Sequence, residues 1–275
     1  MSMFDEVRGG FSAARVGAMV LRYTYLLRSS WPRVLDLIYW PTVQMVTWGF
    51  LQTYVSKAGA GGPVAVGAGA LIGAVMLWDI LFRGQLGFSM SFLEELYSRN
   101  VGNLMMSPLR PLELVAALIV MSTLRLAIAI VPVTAMAVWF FGFNLWGLGF
   151  AVGVFFANLL LTGWAVGLLV AGLLLRNGLG AEALAWSLMF LLLPLTCVYY
   201  PVSVLPGWLQ PVALALPPTY VFEGLRMLVS QHHVSVSDMA MAFGINAVLF
   251  LGGLMAFLAL LDSAKRRGTL LQSGE

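Results

Sequence analysis

Six runs of apolar residues, each long enough to cross a bilayer, are separated by shorter polar stretches. They cover 34–55, 64–88, 112–141, 145–175, 181–200 and 239–261, with Pro132 inside the third and Pro194 inside the fifth. A helix needs about 20 apolar residues to span a hydrocarbon core roughly 30 Å thick. The pattern therefore predicts an all-α fold. It is a single membrane domain over residues 1–275 with six transmembrane helices.

Two stretches are apolar without reading as simple spans. In 8–30, Arg15, Arg22 and Arg28 recur near multiples of seven among Val16, Met19, Val20, Tyr23, Leu26 and Leu27. That spacing predicts an amphipathic helix in the membrane interface, with the arginines on one face. The segment 201–238 carries Pro201, Pro206, Pro211, Pro217 and Pro218, yet stays apolar in 212–216 and 221–228. It is too broken for one span and too apolar for a free loop, so short re-entrant helices buried against protein are expected. Gly59–Gly62 with Pro63 reads as a flexible external turn.

The most polar insert is 92–110, between the second and third runs. Glu94, Glu95, Arg99 and Asn100 fall at helical spacing and predict a short charged helix, ended by Ser107 and Pro108. Basic residues orient the whole. With the N-terminus inside, Arg8, Arg15, Arg22, Arg28, Arg33, Arg99, Arg110, Arg176, Lys265, Arg266 and Arg267 share one side, against Lys57 and Arg226 on the other. The positive-inside rule then places the insert and both termini in the cytoplasm.

Composition agrees. The chain is 60% hydrophobic and only 10% charged, with a mean hydropathy of +0.91; soluble domains carry about 25% charged residues. One cysteine, Cys197, excludes a disulfide framework. No phosphate-binding GxxxxGK[ST] loop and no metal-ligand cluster occurs. His232 and His233 are adjacent and point about 100° apart on a helix, which suits one metal poorly. No nucleophile–base spacing stands out, so no catalytic or cofactor-binding residue is expected, nor a nucleic-acid partner.

Here the chain resembles the permease subunit of type-2 ABC transporters. The insert matches at Arg99, Gly102, Leu104, Ser107, Pro108, Leu109 and Pro111. The stretch from Leu216 to Arg226 looks like the family's P-x-x-Y-x-x-E-x-L-R element before the last span. The order of parts also fits over essentially the whole chain. The resemblance implies a permease that docks a separate ATPase, which binds ATP and magnesium, through Glu94, Glu95, Arg99, Asn100, Ser107 and Pro108. It implies two permease copies, most simply a homodimer, in a bacterial inner membrane. It also makes Pro217, Tyr220, Glu223 and Arg226 candidates for an extracellular gate. The expected cargo is an amphiphilic, drug-like or lipid-linked molecule moved outward. The alternatives are a polysaccharide or glycoconjugate exporter, and a membrane scaffold that transports nothing.

The remaining charges sit inside apolar runs. Glu223 and Arg226 are placed to pair at i, i+3, as are Arg33 and Asp36, while Asp79 and Arg83 do so at i, i+4. Arg125 lies deep in the third run without a local acid. It either pairs with Asp79, Glu182 or Glu113, or contacts an anionic headgroup, sugar or phosphate. Trp40, Gln44 and Trp48 share one helix face and are either plain packing or, with Arg125, a translocation surface. Gly163 and Gly167 form a GxxxG that permits close helix contact.

Overall fold

The computed structural model describes residues 10–57 and 68–267, and every long element among them is a helix. The Gly59–Gly62 turn, Arg8 and the start of the second apolar run lie outside the described residues. In chain order the helices are α1 (Ala13–Arg28), α2 (Trp31–Lys57), α3 (Ala68–Tyr97), α4 (Val101–Met106) and α5 (Pro111–Phe141). They continue as α6 (Phe150–Asn177), α7 (Glu182–Leu195), α8 (Gln210–Leu214), α9 (Pro217–Gln231) and α10 (Val236–Arg267).

Among the described residues four helices are long and apolar enough to cross a membrane: α3 from Leu71, α5, α6 and α10. The other two predicted spans differ from these. Helix α2 has the length, with 27 residues, or about 40 Å at 1.5 Å per residue, but it is less apolar. Helix α7 holds only 14 residues. The predicted fifth span ran to Tyr200; the helix stops at Leu195, because Cys197 adopts a left-handed conformation with φ of 55°. That conformation costs an L-residue energy and ends a right-handed helix.

Burial orders the bundle. The apolar stretch of α3 is 78% buried and that of α10 only 22%, so α3 is the axis and α10 the rim. Helix α6 packs between them. The GxxxG is what lets α6 come so close to α3. A Cβ on Gly163 would lie 2.9 Å from the Leu81 carbonyl oxygen, and one on Gly167 would lie 3.0 Å from the Phe88 side chain. Helices α2 and α1 pack on α5, and α9 covers α10, α6 and α3. The core falls into two clusters. One joins Tyr23, Phe92, Leu96, Leu104, Leu118, Leu174 and Leu261. The other joins Ile72, Leu145, Phe155, Val221 and Phe222. The first therefore gathers the C-terminal ends of α3, α6 and α10 with the starts of α5 and α7, at one end of the bundle.

Candidate functional site

At that end the chain between α3 and α5 is held by buried carboxylates. Helix α3 continues to Tyr97, nine residues beyond the predicted end of the second run, so Glu94 and Glu95 are its last turn and not a separate helix. The predicted short charged helix is instead α4, with the sequence VGNLMM, which carries no charge. The reason is packing: Leu93, Leu96, Val101 and Leu104 are all buried in the same cluster and draw the chain inward on both sides of the turn. Arg99 makes that turn, with φ of 52°, in the conformation that commonly closes a helix C-terminus.

Glu95 is fully buried and accepts from both terminal nitrogens of Arg22 and from the Asn100 side-chain amide at 2.8 Å. Glu113 is equally buried, in the first turn of α5. It accepts from the backbone N–H of Arg110 at 3.0 Å and of Ser12 at 2.9 Å, and from Arg15 at 2.6 and 2.7 Å. A carboxylate buried this way is stable only because each oxygen has donors. Two arginines expected on a polar outer face of α1 are thus turned onto protein carboxylates. The inner face of α1 buries Met19, Tyr23 and Leu27, and burial pushes the Tyr23 hydroxyl well above its ordinary range. Hydrogen bonding to Glu113 raises Arg15 further. The outer face leaves Leu21 and Tyr25 exposed, as an interfacial helix requires.

The clasps bracket α4: Arg22–Glu95–Asn100 before it, Arg15–Glu113–Arg110 after it. Two further links leave the end of α3. Tyr97 donates to Glu182 at the start of α7. Glu94 accepts twice from Arg125 at 3.0 Å and lies 3.7 Å from Arg33. Glu94 therefore pairs with Arg125, and Asp79, Glu182 and Glu113 do not. It also draws Arg33 away from the predicted pairing with Asp36. Asp79 and Arg83 pair as expected, at 2.9 Å.

What remains outward around α4 is a small surface. Arg99, Asn103, Ser107 and Pro108 are exposed, Asn100 is half-buried, and Met106 is 76% exposed. Sequence reasoning did not single out Met106, because one methionine among fifteen carries no signal. Nor did it pair Arg15 with Glu113, which stood only as a candidate partner of Arg125. The position of Glu113, three residues after Arg110 and just behind Pro111, is a capping signature that was legible.

The second predicted site lies at the opposite end. Pro217 and Pro218 start α9, Tyr220 is half-buried, and Glu223 and Arg226 pair at 3.1 Å. Glu223 also accepts from the Val202 N–H at 2.7 Å, and Arg226 donates to the Val198 carbonyl at 3.3 Å. The pair thus pins the turn after α7 to α9. Of the aromatic stripe, Trp40 is exposed, Gln44 is half-buried, and Trp48 stacks on Tyr199 with ring centroids 4.5 Å apart. Among the described residues no group of acidic, histidine or cysteine side chains is arranged to hold a metal.

A family model described as ABC-2 type transporter matches residues 24–229. No curated protein matches the chain.

Proposed function

The chain belongs to the ABC-2 type transporter family, and on that premise we propose that it is the permease of an ATP-driven exporter for an amphiphilic, drug-like or lipid-linked cargo. Membership makes it a membrane transport domain and implies an ABC ATPase partner. The rest is our reading. Six helices cross the bilayer: α2, α3, α5, α6, α7 and α10. Residues 201–238 dip into the outer leaflet. Both termini are cytoplasmic in a bacterial inner membrane, and two copies form a closed two-fold pair. The permease holds no cofactor; ATP and magnesium bind the partner ATPase.

The observation that carries this reading is the exposed surface of α4, set between two buried ion-pair clasps. A rigid helix offered outward and anchored on both flanks suits a part that is pushed. Closure of the ATPase pair would press on Arg99, Asn100, Met106, Ser107 and Pro108. The clasps at Glu95 and Glu113 would carry that displacement into α1 and the ends of α3 and α5. Glu94 and Tyr97 would pass it to α2, α5 and α7. Glu94 and Glu95 are then transmission residues inside the permease, and the contact falls to the outward groups. The Glu223–Arg226 pair would hold the outer end closed between cycles.

Affinity co-purification of the tagged chain from native membranes, followed by mass spectrometry, tests the assignment. A stoichiometric ATPase with a phosphate-binding loop is expected. A clean permease, or a different stable partner, would move the assignment to a membrane scaffold.

A further inference from the structure

A cleft of about 450 Å³ opens between α2, α3, α5 and α7. Its lining joins apolar Leu86, Met90 and Trp186 to three arginines, Arg33, Arg83 and Arg125. The acids beside them leave much of the donor capacity unused. A guanidinium has five N–H donors. Arg83 commits its Nε to Asp79 at 2.9 and 3.1 Å. Arg125 commits one Nη2 to Glu94, and Glu94 is shared with Arg33. The Arg125 Nε is buried with no acceptor among the described residues, in a residue only 8% exposed. Asp36 also lines the cleft and makes no ion pair among the described residues, so with Asp79 three acids stand beside three arginines and the excess there is of hydrogen-bond donors, not of charge.

An orphaned buried donor costs free energy until an acceptor reaches it. Deep in an apolar bundle that acceptor is worth more than at a surface. A surplus of planar donors beside an apolar wall suits a group rich in acceptor oxygens that is joined to a hydrocarbon. We propose that this cleft seats the headgroup of a phosphate-bearing amphiphile, with Arg83 and Arg125 as its donors and the tail along Leu86 and Met90. This deepens the transporter reading, on which it rests for the step from ligand to cargo. The cleft lies beside Glu94, so a displacement of the end of α3 also changes how Arg125 is shared between Glu94 and the ligand.

The test uses the purified full chain in dodecyl maltoside, titrated with fluorescently labelled phosphatidic acid. Phosphatidylcholine with the same label and tails is the control. Phosphatidic acid is expected to bind saturably and about tenfold more tightly than phosphatidylcholine, the scale of one charge-assisted hydrogen bond. Replacing Glu94→Gln together with Arg125→Gln, which removes both buried charges of the pair and leaves only the exposed Arg33 without its partner, should weaken it about tenfold. Glu94→Gln alone frees the Arg125 Nη2 and should tighten it. Equal binding of the two lipids overturns the proposal. So does unchanged phosphatidic acid binding in a double variant that unfolds at the wild-type temperature. Displacement of the labelled lipid by millimolar inorganic phosphate would assign the cleft to a free anion and overturn the amphiphile. No ATPase is needed in this titration. Its failure therefore leaves the co-purification result standing, and the reverse also holds.

Discussion

Glu113→Gln isolates one clasp with little change of shape. The wild-type carboxylate is fully buried and receives four hydrogen bonds, two from backbone N–H groups and two from Arg15. Glutamine keeps one acceptor oxygen and turns its other end into a donor that faces donors. Two of the four bonds are lost, and Arg15 loses its countercharge. A hydrogen bond to a charged group contributes about 1.5–3 kcal/mol, and stranding half of a buried pair costs about 3–5 kcal/mol. The Arg15 side chain is 31% exposed, so water recovers part of its solvation and the lower end applies. We expect a loss of about 2–3 kcal/mol. For a chain of this size that lowers the unfolding midpoint by roughly 5 °C. Tryptophan fluorescence of the purified chain in detergent reads the midpoint, at one fixed heating rate because unfolding of such proteins is often irreversible. Arg15→Ala and the double variant complete the cycle. The double variant should be no less stable than Glu113→Gln alone, since the two residues act through one contact. A midpoint within a degree of wild type, or additive losses, would refute the buried-clasp account.

Other changes separate docking from structure. Arg99→Glu with Met106→Ala should leave the unfolding midpoint unchanged and abolish stimulation of the partner ATPase, whereas Glu95→Lys should lower the midpoint, because Glu95 is buried and Arg99 is not. Gly163→Val puts atoms within about 3 Å of the α3 backbone; it should cost at least about 2 kcal/mol and shift the chain into aggregates on gel filtration. Arg226→Ala releases Val198 and strands Glu223, so amide exchange across 198–204 should rise about tenfold while α3 and α6 stay protected. Asn246→Leu removes the side chain that bonds Asn158 and Thr162 inside the α6–α10 contact. Helix–helix hydrogen bonds in membrane proteins average about 0.6 kcal/mol, so the midpoint should fall by only a degree or two, and a fall above about 5 °C would show that α10 depends on this contact.

The apolar runs by themselves determined that the chain is helical and where most helices lie, because a backbone in hydrocarbon must satisfy its own hydrogen bonds and needs a fixed length to do so. The third run, from residue 112, marked the start of α5, Gly163 and Gly167 marked a close contact, and Glu223 and Arg226 could be paired from their spacing alone. Each of these signals is local: an apolar run, a four-residue repeat, an i, i+3 step. The partners of Glu95, Glu113 and Arg125 were decided only by the tertiary structure. Arg15 and Glu113 lie 98 residues apart, Arg22 and Glu95 73, and Glu94 and Arg125 31. Charge attracts any opposite charge, so sequence offers several acids for each arginine. Packing of α1 and of α3 on α5 selects one. The same packing moved Glu94 and Glu95 from a presumed outer surface to the inside and left the uncharged α4 as the face presented to a partner. A helix's polarity follows from its residues, but which side meets water depends on the neighbours that cover the rest.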